Sequence, residues 1–335
     1  IEQHRGDAVS AFAHRVRAVP ITRPTWRVTD WVETNLEKIA WAINLVQRRG
    51  QGLVILESDP GLGKNILLEM IACATNRELL VQPFNKGMTL DDLTFMATLN
   101  NNNTELVPAK FFNYIQTPGA LVFLDEFSAA SDGLQKKLNA LFTQDRALAV
   151  SFGDDAKADP STLCIAAINP YGTGGTNALN QDLKSRSIRV RLSMPPLKEN
   201  GRFTSDEAEI IYQYVDCLKE LTNEQFRKCW NKVTNRDRSP EVDKLLTPDR
   251  VKAITSLHVA IKVANTVRDA AKQTAQGASV ATPITATWGM REQEFIAAAL
   301  NYNDDIRQVM EAIILPNIDD PTEEAAVKSI IAANT

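Results

Sequence analysis

Four consecutive apolar residues, Leu53-Val54-Ile55-Leu56, run almost directly into Ser58-Asp59-Pro60-Gly61-Leu62-Gly63-Lys64-Asn65, and a helical pattern follows over Asn65–Thr75. An unbroken apolar run of this length reads as a parallel strand buried on both faces. A glycine-rich turn between such a strand and a helix aims backbone N–H groups and a helix N-terminus at an anion, and a lysine at its end reaches terminal phosphates. Against the phosphate-loop pattern G-x-x-x-x-G-K-[ST] the segment departs twice. Ser58 stands at the first glycine, without glycine's freedom at positive φ. Asn65 stands where a hydroxyl usually ligates Mg²⁺. The alternative reading is a plain strand-to-helix turn with a surface lysine.

The same texture recurs. Leu79–Gln82, Ala120–Leu124 and Leu163–Ile168 are apolar runs, and Ile188–Leu192 alternates apolar residues with arginine as an edge strand does. Helical spacing marks Val32–Arg49 and Gly133–Phe142. Strands alternating with helices predict an α/β domain with a parallel sheet and a ligand site at the carboxyl ends of its strands. Beyond Met194-Pro195-Pro196 the pattern from about residue 203 is almost wholly helical, with an Ala/Thr/Gly-rich break at Thr274–Thr285. Apolar residues at helical spacing in Val251–Val263 and Phe295–Ile314 read as the core of that second domain. The expected organisation is a strap at 1–31 bearing Pro20, Pro24, Trp26 and Trp31, an α/β domain at 32–198 and a helical domain at 199–335.

Composition removes several classes. A chain of 335 residues suggests about two domains. Thirty-seven basic against 41 acidic residues give a net charge of −4, which argues against a general nucleic-acid footprint. No apolar run reaches the ~18–20 residues of a membrane span. The four cysteines form no CxxC pair and read as buried thiols in a reducing compartment. The three histidines lack metal-ligand spacing, which argues against metal-histidine catalysis. Opening at Ile1 without a signal-peptide core, the chain is expected to be a trimmed polypeptide, soluble and cytoplasmic.

Three further segments bear on chemistry. Ala120-Leu121-Val122-Phe123-Leu124-Asp125-Glu126 ends an apolar strand in two carboxylates. In a nucleotide site Asp125 binds Mg²⁺ through water and Glu126 polarises the attacking water; otherwise the pair is a solvated acidic turn. Asn169, ahead of Pro170, tips another buried strand, where it either contacts the attacking water or γ-phosphate or starts a turn. Arg186, in Leu179-Asn180-Gln181-Asp182-Leu183-Lys184-Ser185-Arg186, sits where a helix end presents a cation, either to a phosphate on a neighbouring subunit or to solvent.

In the order of these motifs the chain resembles the AAA+ ATPases, and in detail the MoxR group with its NorQ/CbbQ-like and midasin/dynein-like relatives. The residues that carry this are Asp59–Lys64, Phe123-Leu124-Asp125-Glu126-Phe127, Ala167-Ile168-Asn169-Pro170 and the Gly174–Arg186 stretch. The resemblance implies a P-loop parallel sheet flanked by helices and followed by an all-helical lid. It implies ATP and Mg²⁺ as cofactors, with Asp59, Pro60, Gly61, Leu62, Gly63, Lys64, Asn65 and Ile66 around the nucleotide and Asn65 and Asp125 toward the metal. Glu126 faces the lytic water, Asn169 is the first sensor and Arg186 the finger acting in trans. Arg291, in Trp288-Gly289-Met290-Arg291, is the candidate second sensor, with Arg250 as runner-up. The resemblance further implies a ring, six subunits in its relatives, acting on a protein client, with a von Willebrand factor A domain protein as partner. Phe84–Leu106 and Gln144–Pro160 fall where the family carries insertions toward the pore or client; they read equally as surface loops. Two other functions are carried alongside: a degenerate module holding nucleotide as an assembly scaffold, and a nucleic-acid-directed NTPase.

Overall fold

The computed structural model describes residues 28–100, 103–151, 155–169, 177–277, 282–286 and 288–335. The strap up to residue 27, including Trp26, lies outside the described residues, as do Pro170 and Gly174–Thr176. The described chain forms two compact units.

The first unit takes in Thr34–Asp59 and Lys64–Leu192. Helix α1 (Asp30–Arg49), which belongs to this unit from Thr34 onward, buries Ile39, Ala42, Ile43 and Val46 at helical spacing. Asp30 and Glu33 in its first turn and Arg48 and Arg49 in its last complement the helix dipole. Strands β1 (Leu53–Glu57), β2 (Leu79–Pro83), β5 (Leu121–Asp125), β8 (Leu163–Ile168) and β9 (Ser187–Arg191) form one sheet in the order β2-β5-β8-β1-β9. All its pairings are parallel. Four of the five residues of β1 and of β5 are buried, which explains their unbroken apolar sequences. The edge reading of β9 holds: among the described residues it pairs with β1 alone, with Val190 buried and Arg189 and Arg191 outward.

Register sets the site. Glu57 lies opposite Ile168, and Leu124 opposite Ala166, so β1, β5 and β8 end on one rim of the sheet. Ser58, Asp125 and Asn169 follow or close those strands. Behind the rim, Phe84 and Phe127 meet edge to face with ring centroids 5.2 Å apart. Both are fully buried, anchoring the turn that leaves β5.

Helix α2 (Lys64–Ala74) follows the glycine-rich turn, and α3 (Leu90–Thr94) carries a Thr89–Asp92 capping box. Next comes an antiparallel hairpin, β3 (Phe95–Asn100) with β4 (Asn103–Pro108), where the sequence offered only an insertion, and then α4 (Lys110–Gln116). Helix α5 (Asp132–Leu138) is capped by Ser131, and the helix expected to run to Phe142 tightens into a 3₁₀ turn over Asn139–Phe142. A short pair, β6 (Ala147–Leu148) with β7 (Ala156–Lys157), occupies the second insertion, and α6 (Gln181–Arg186) leads into β9.

The second unit comprises the described part of Trp26–Glu33, Pro60–Gly63 and Ser193–Thr335. A small hairpin, β10 (Lys198–Glu199) with β11 (Arg202–Phe203), precedes α7 (Asp206–Ile211), α8 (Asn223–Thr234), α9 (Pro248–Ala275), α10 (Met290–Ala299), α11 (Ile306–Ile314) and α12 (Pro321–Asn334). Trp288, Ile296, Met310, Val327 and Ile331 share a core with the α9 residues Ala260, Val263, Ala264 and Val267. Two expectations change here. Phe295–Ile314 is two helices, because Asp305 caps a new start by accepting the Arg307 and Gln308 N–H groups. Val251 and Phe295 are exposed at 37% and 59%, outside the core they were expected to join.

Candidate nucleotide site

The turn after β1 is tied back to the sheet by Ser58, whose N–H donates to the Ile168 carbonyl at 3.3 Å. Ser58 is buried, and its hydroxyl donates to the Asp59 carbonyl at 3.0 Å while accepting from Lys64 Nζ at 2.9 Å. The same ammonium donates to the Ser58 carbonyl at 3.2 Å, to Asn169 Oδ1 at 3.2 Å and to the Asp59 carbonyl at 3.4 Å. All four acceptors are neutral oxygens. Burial pushes the Lys64 ammonium below the ordinary lysine range, opposed in part by the charges of Asp125, Asp59 and Glu126. A partly desolvated cation caged by neutral dipoles is stabilised further by an anion.

The second strand end supplies carboxylates. Asp125 Oδ1 accepts the Glu126 N–H at 3.0 Å, and Oδ2 accepts the Asn65 side-chain N–H at 3.4 Å. Glu126 is exposed and sits in the left-handed region at φ 52°, ψ 34°, which non-glycine residues seldom adopt. Its carbonyl accepts from Ala129 N–H at 2.7 Å, so the strained turn is held by the buried Phe127 segment behind it.

These groups suit Mg²⁺ and a triphosphate. One carboxylate and one amide that can present its oxygen are hard donors of the kind Mg²⁺ takes alongside phosphates and water. Among the described residues no group of three or more His, Cys, Asp or Glu side chains could hold a metal by itself. Helix α2 has no acidic residue in its first turn, so nothing there offsets its positive end. Gly61 and Gly63 adopt φ of 76° and 80°, which glycine permits, while Leu62 is buried and Ile66 half-buried.

Within the second unit, the Met290 N–H donates to the Gly61 carbonyl at 2.9 Å. A Cβ on Gly289 would lie 2.9 Å from both Cα and O of Gly61, so that position admits glycine alone. Glu292 accepts the Gly289 N–H at 2.8 Å and Arg291 is exposed beside it. Arg250 has a different occupation: its guanidinium donates to the Cys217 carbonyl at 2.8 Å and to the Leu245 carbonyl at 3.0 Å, closing its own helix start.

Arg186 is exposed at the end of α6 and is not drawn into the Lys64 cluster. Its helix is fixed by Asn180, which receives the Asp182 N–H at 2.9 Å and donates to Asp132 at 2.9 Å. Sequence reasoning missed two features. One is the Ser58 hydroxyl on Lys64, since the motif assigns that position to backbone shape alone. The other is Glu57, which takes Arg189 at 3.4 Å and Arg191 at 3.2 Å; the acid ending β1 and the alternating arginines of β9 were the available signal. Beside Asn169 a cavity of about 330 Å³ opens, with Glu57, Lys184 and Arg189 in its wall.

Among solved structures the chain is similar to a candidate ATPase from Cytophaga hutchinsonii ATCC 33406, at 15% identity over 90% of this chain and 92% of that one, with a TM-score of 0.40. Residues 53–187 match the model of the AAA domain of the dynein-related subfamily, a span from the first residue of β1 to the first of β9. Over residues 53–187 the chain is thus similar to AAA domains.

Proposed function

We propose that the protein hydrolyses ATP bound with Mg²⁺ between the subunits of a ring, and uses the cycle to remodel or activate a partner protein. The observation that carries this is the Lys64 ammonium, held among neutral oxygens on the strand rim that also bears Asp125 and Asn169. Lys64 contacts the β- and γ-phosphates, Glu126 orients and polarises the attacking water, and Asn169 holds Lys64 while offering its amide N–H to the γ-phosphate. Mg²⁺, when bound by Asp125 and the Asn65 amide oxygen, neutralises charge on the phosphates. Arg186 serves the neighbouring subunit's nucleotide, and Arg291, unlike Arg250, is available as the second sensor.

Six subunits, a protein client, a von Willebrand factor A domain partner and a cytoplasmic setting complete the reading. Among the described residues no helix is long and apolar enough to cross a membrane. The net charge of −4 disfavours nucleic acid as a general ligand. One observation favours a second reading, a nucleotide held as an assembly scaffold: the Asn65 amide donates to Asp125 where a hydroxyl ligand is usual. Phosphate release measured with and without a co-purifying partner separates the two. Calorimetric titration with ATP tests both: Lys64→Ala should weaken binding about a hundredfold or more. Unchanged affinity would overturn the nucleotide assignment.

A further inference from the structure

The carboxyl rim of the main sheet carries a second group of donors beside the Lys64 cluster. The cavity of about 330 Å³ next to Asn169 is walled by Glu57 of β1, Ser128 of the 3₁₀ turn Phe127–Ala129, Asn169 beyond β8, Lys184 of α6 and Arg189 of β9. Ser128 is 3% exposed, and among the described residues its hydroxyl has no hydrogen-bond partner. A buried hydroxyl normally has one, and the cavity is where it can stand. The wall at this point is fixed: the Ser128 carbonyl accepts the Asn177 N–H at 2.7 Å, and the Asn177 side chain donates to the Ala130 carbonyl at 3.1 Å.

Asn169 accepts from Lys64 through its amide oxygen at 3.2 Å, which leaves its N–H₂ as a donor. The Lys184 ammonium is exposed and, among the described residues, forms no ion pair or hydrogen bond. Glu57, the acid in the wall, is compensated by Arg189 at 3.4 Å and Arg191 at 3.2 Å. Every group here without a partner can donate: a hydroxyl, an amide N–H₂ and an ammonium. A compact oxyanion offers acceptor oxygens to all three, and charge-assisted bonds of this kind are the strong ones. Waters of about 30 Å³ each fill the space that such an ion leaves.

We propose that this cavity binds inorganic phosphate and is the first station of the phosphate cleaved from the nucleotide. The source of that ion rests on the nucleotide reading; the donor set does not. Asn169 borders both places, so its N–H₂ bonds the γ-phosphate before cleavage and the free phosphate after it.

The test is calorimetric titration of inorganic phosphate into the full chain, with Lys64→Ala used to remove binding at the loop lysine. Lys64→Ala should keep cavity affinity within about threefold of the unaltered chain. Adding Lys184→Gln to it should weaken phosphate about tenfold, and adding Ser128→Ala about three- to tenfold. Thermal melting reports the fold of the Ser128 variant; Lys184 is on the surface, so its variant decides if the other unfolds. Phosphate affinity indifferent to Lys184→Gln, or abolished by Lys64→Ala, overturns the proposal. For the product role, added phosphate should inhibit ADP formation by the unaltered chain. Lys184→Gln alone should need about tenfold more phosphate for the same inhibition, with KM for ATP within about twofold. Phosphate bound in the cavity by a chain that does not hydrolyse ATP overturns the product role and the nucleotide reading while the anion site stands.

Discussion

Lys64 Nζ lies 3.2 Å from Asn169 Oδ1, so the turn after β1 and the tip of β8 share one ammonium across 105 residues of sequence. The bond fixes which way the amide faces, oxygen to the lysine and N–H₂ outward. Replacing Asn169 with alanine removes an acceptor from a charged donor, an interaction worth about 1.5–3 kcal/mol. Steady-state phosphate release should fall at least about tenfold, while thermal stability should fall by no more than that one interaction accounts for.

Glu126 combines the role proposed for it with a conformation that side chains avoid, at φ 52°. Asparagine tolerates this region better and lacks a carboxylate. Glu126→Asn should therefore raise the unfolding free energy by about 0.5–1 kcal/mol while lowering hydrolysis about a hundredfold or more. Denaturant unfolding and phosphate release, measured on one preparation, check both signs.

Gly289 faces Gly61 so closely that a methyl group would sit 2.9 Å from its Cα and O. Gly289→Ala must push the backbones apart and lengthen the Met290–Gly61 hydrogen bond. A loss of about 1–3 kcal/mol in urea unfolding is expected. An unchanged midpoint would show that the approach is not a constraint.

His258 packs edge-on against Phe203 and Trp230, with ring centroids 4.3 Å and 5.5 Å away. Burial, then the nearby charges of Lys262 and Lys198, hold its imidazole below the ordinary pKa of 6.5. The unfolded chain therefore takes up this proton first. Stability from this group is complete above pH 6.5 and declines as pH falls from there through the lowered native pKa. His258→Phe should flatten that part of the pH profile of the unfolding midpoint.

Glu207 and Arg268 pair at 2.5 Å and 3.2 Å with side chains 4% and 11% exposed. Removing one partner strands the other charge, so Glu207→Ala should cost about 3–5 kcal/mol. Glu207→Leu combined with Arg268→Met should recover much of it, read from chemical denaturation of the three proteins.

The strands of the main sheet were legible because parallel strands covered on both faces leave unbroken apolar runs: β1, β5 and β8 lie within a residue of their sequence boundaries. The β3–β4 hairpin gave no such mark, since Met96 and Leu106 are exposed at 54% and 49% and the segment carries no clean alternation. The stop after Ala299 was hidden by apolar spacing that continues through it; only the Asp305 cap reveals the restart. At the site, Lys64, Asp125 and Asn169 were readable because each closes or follows an apolar run on one rim. The Ser58 and Asn65 contacts were not, because a motif records which residue types are usual and not what a substitute will touch.

The ion pairs of Glu57 have a mechanical corollary. Glu57 is the last residue of β1, one peptide from Ser58, and it grips two arginines of the outermost strand. The border of the sheet and the turn that holds Lys64 are thus coupled in series, so a load applied along that border reaches that turn through a single peptide link.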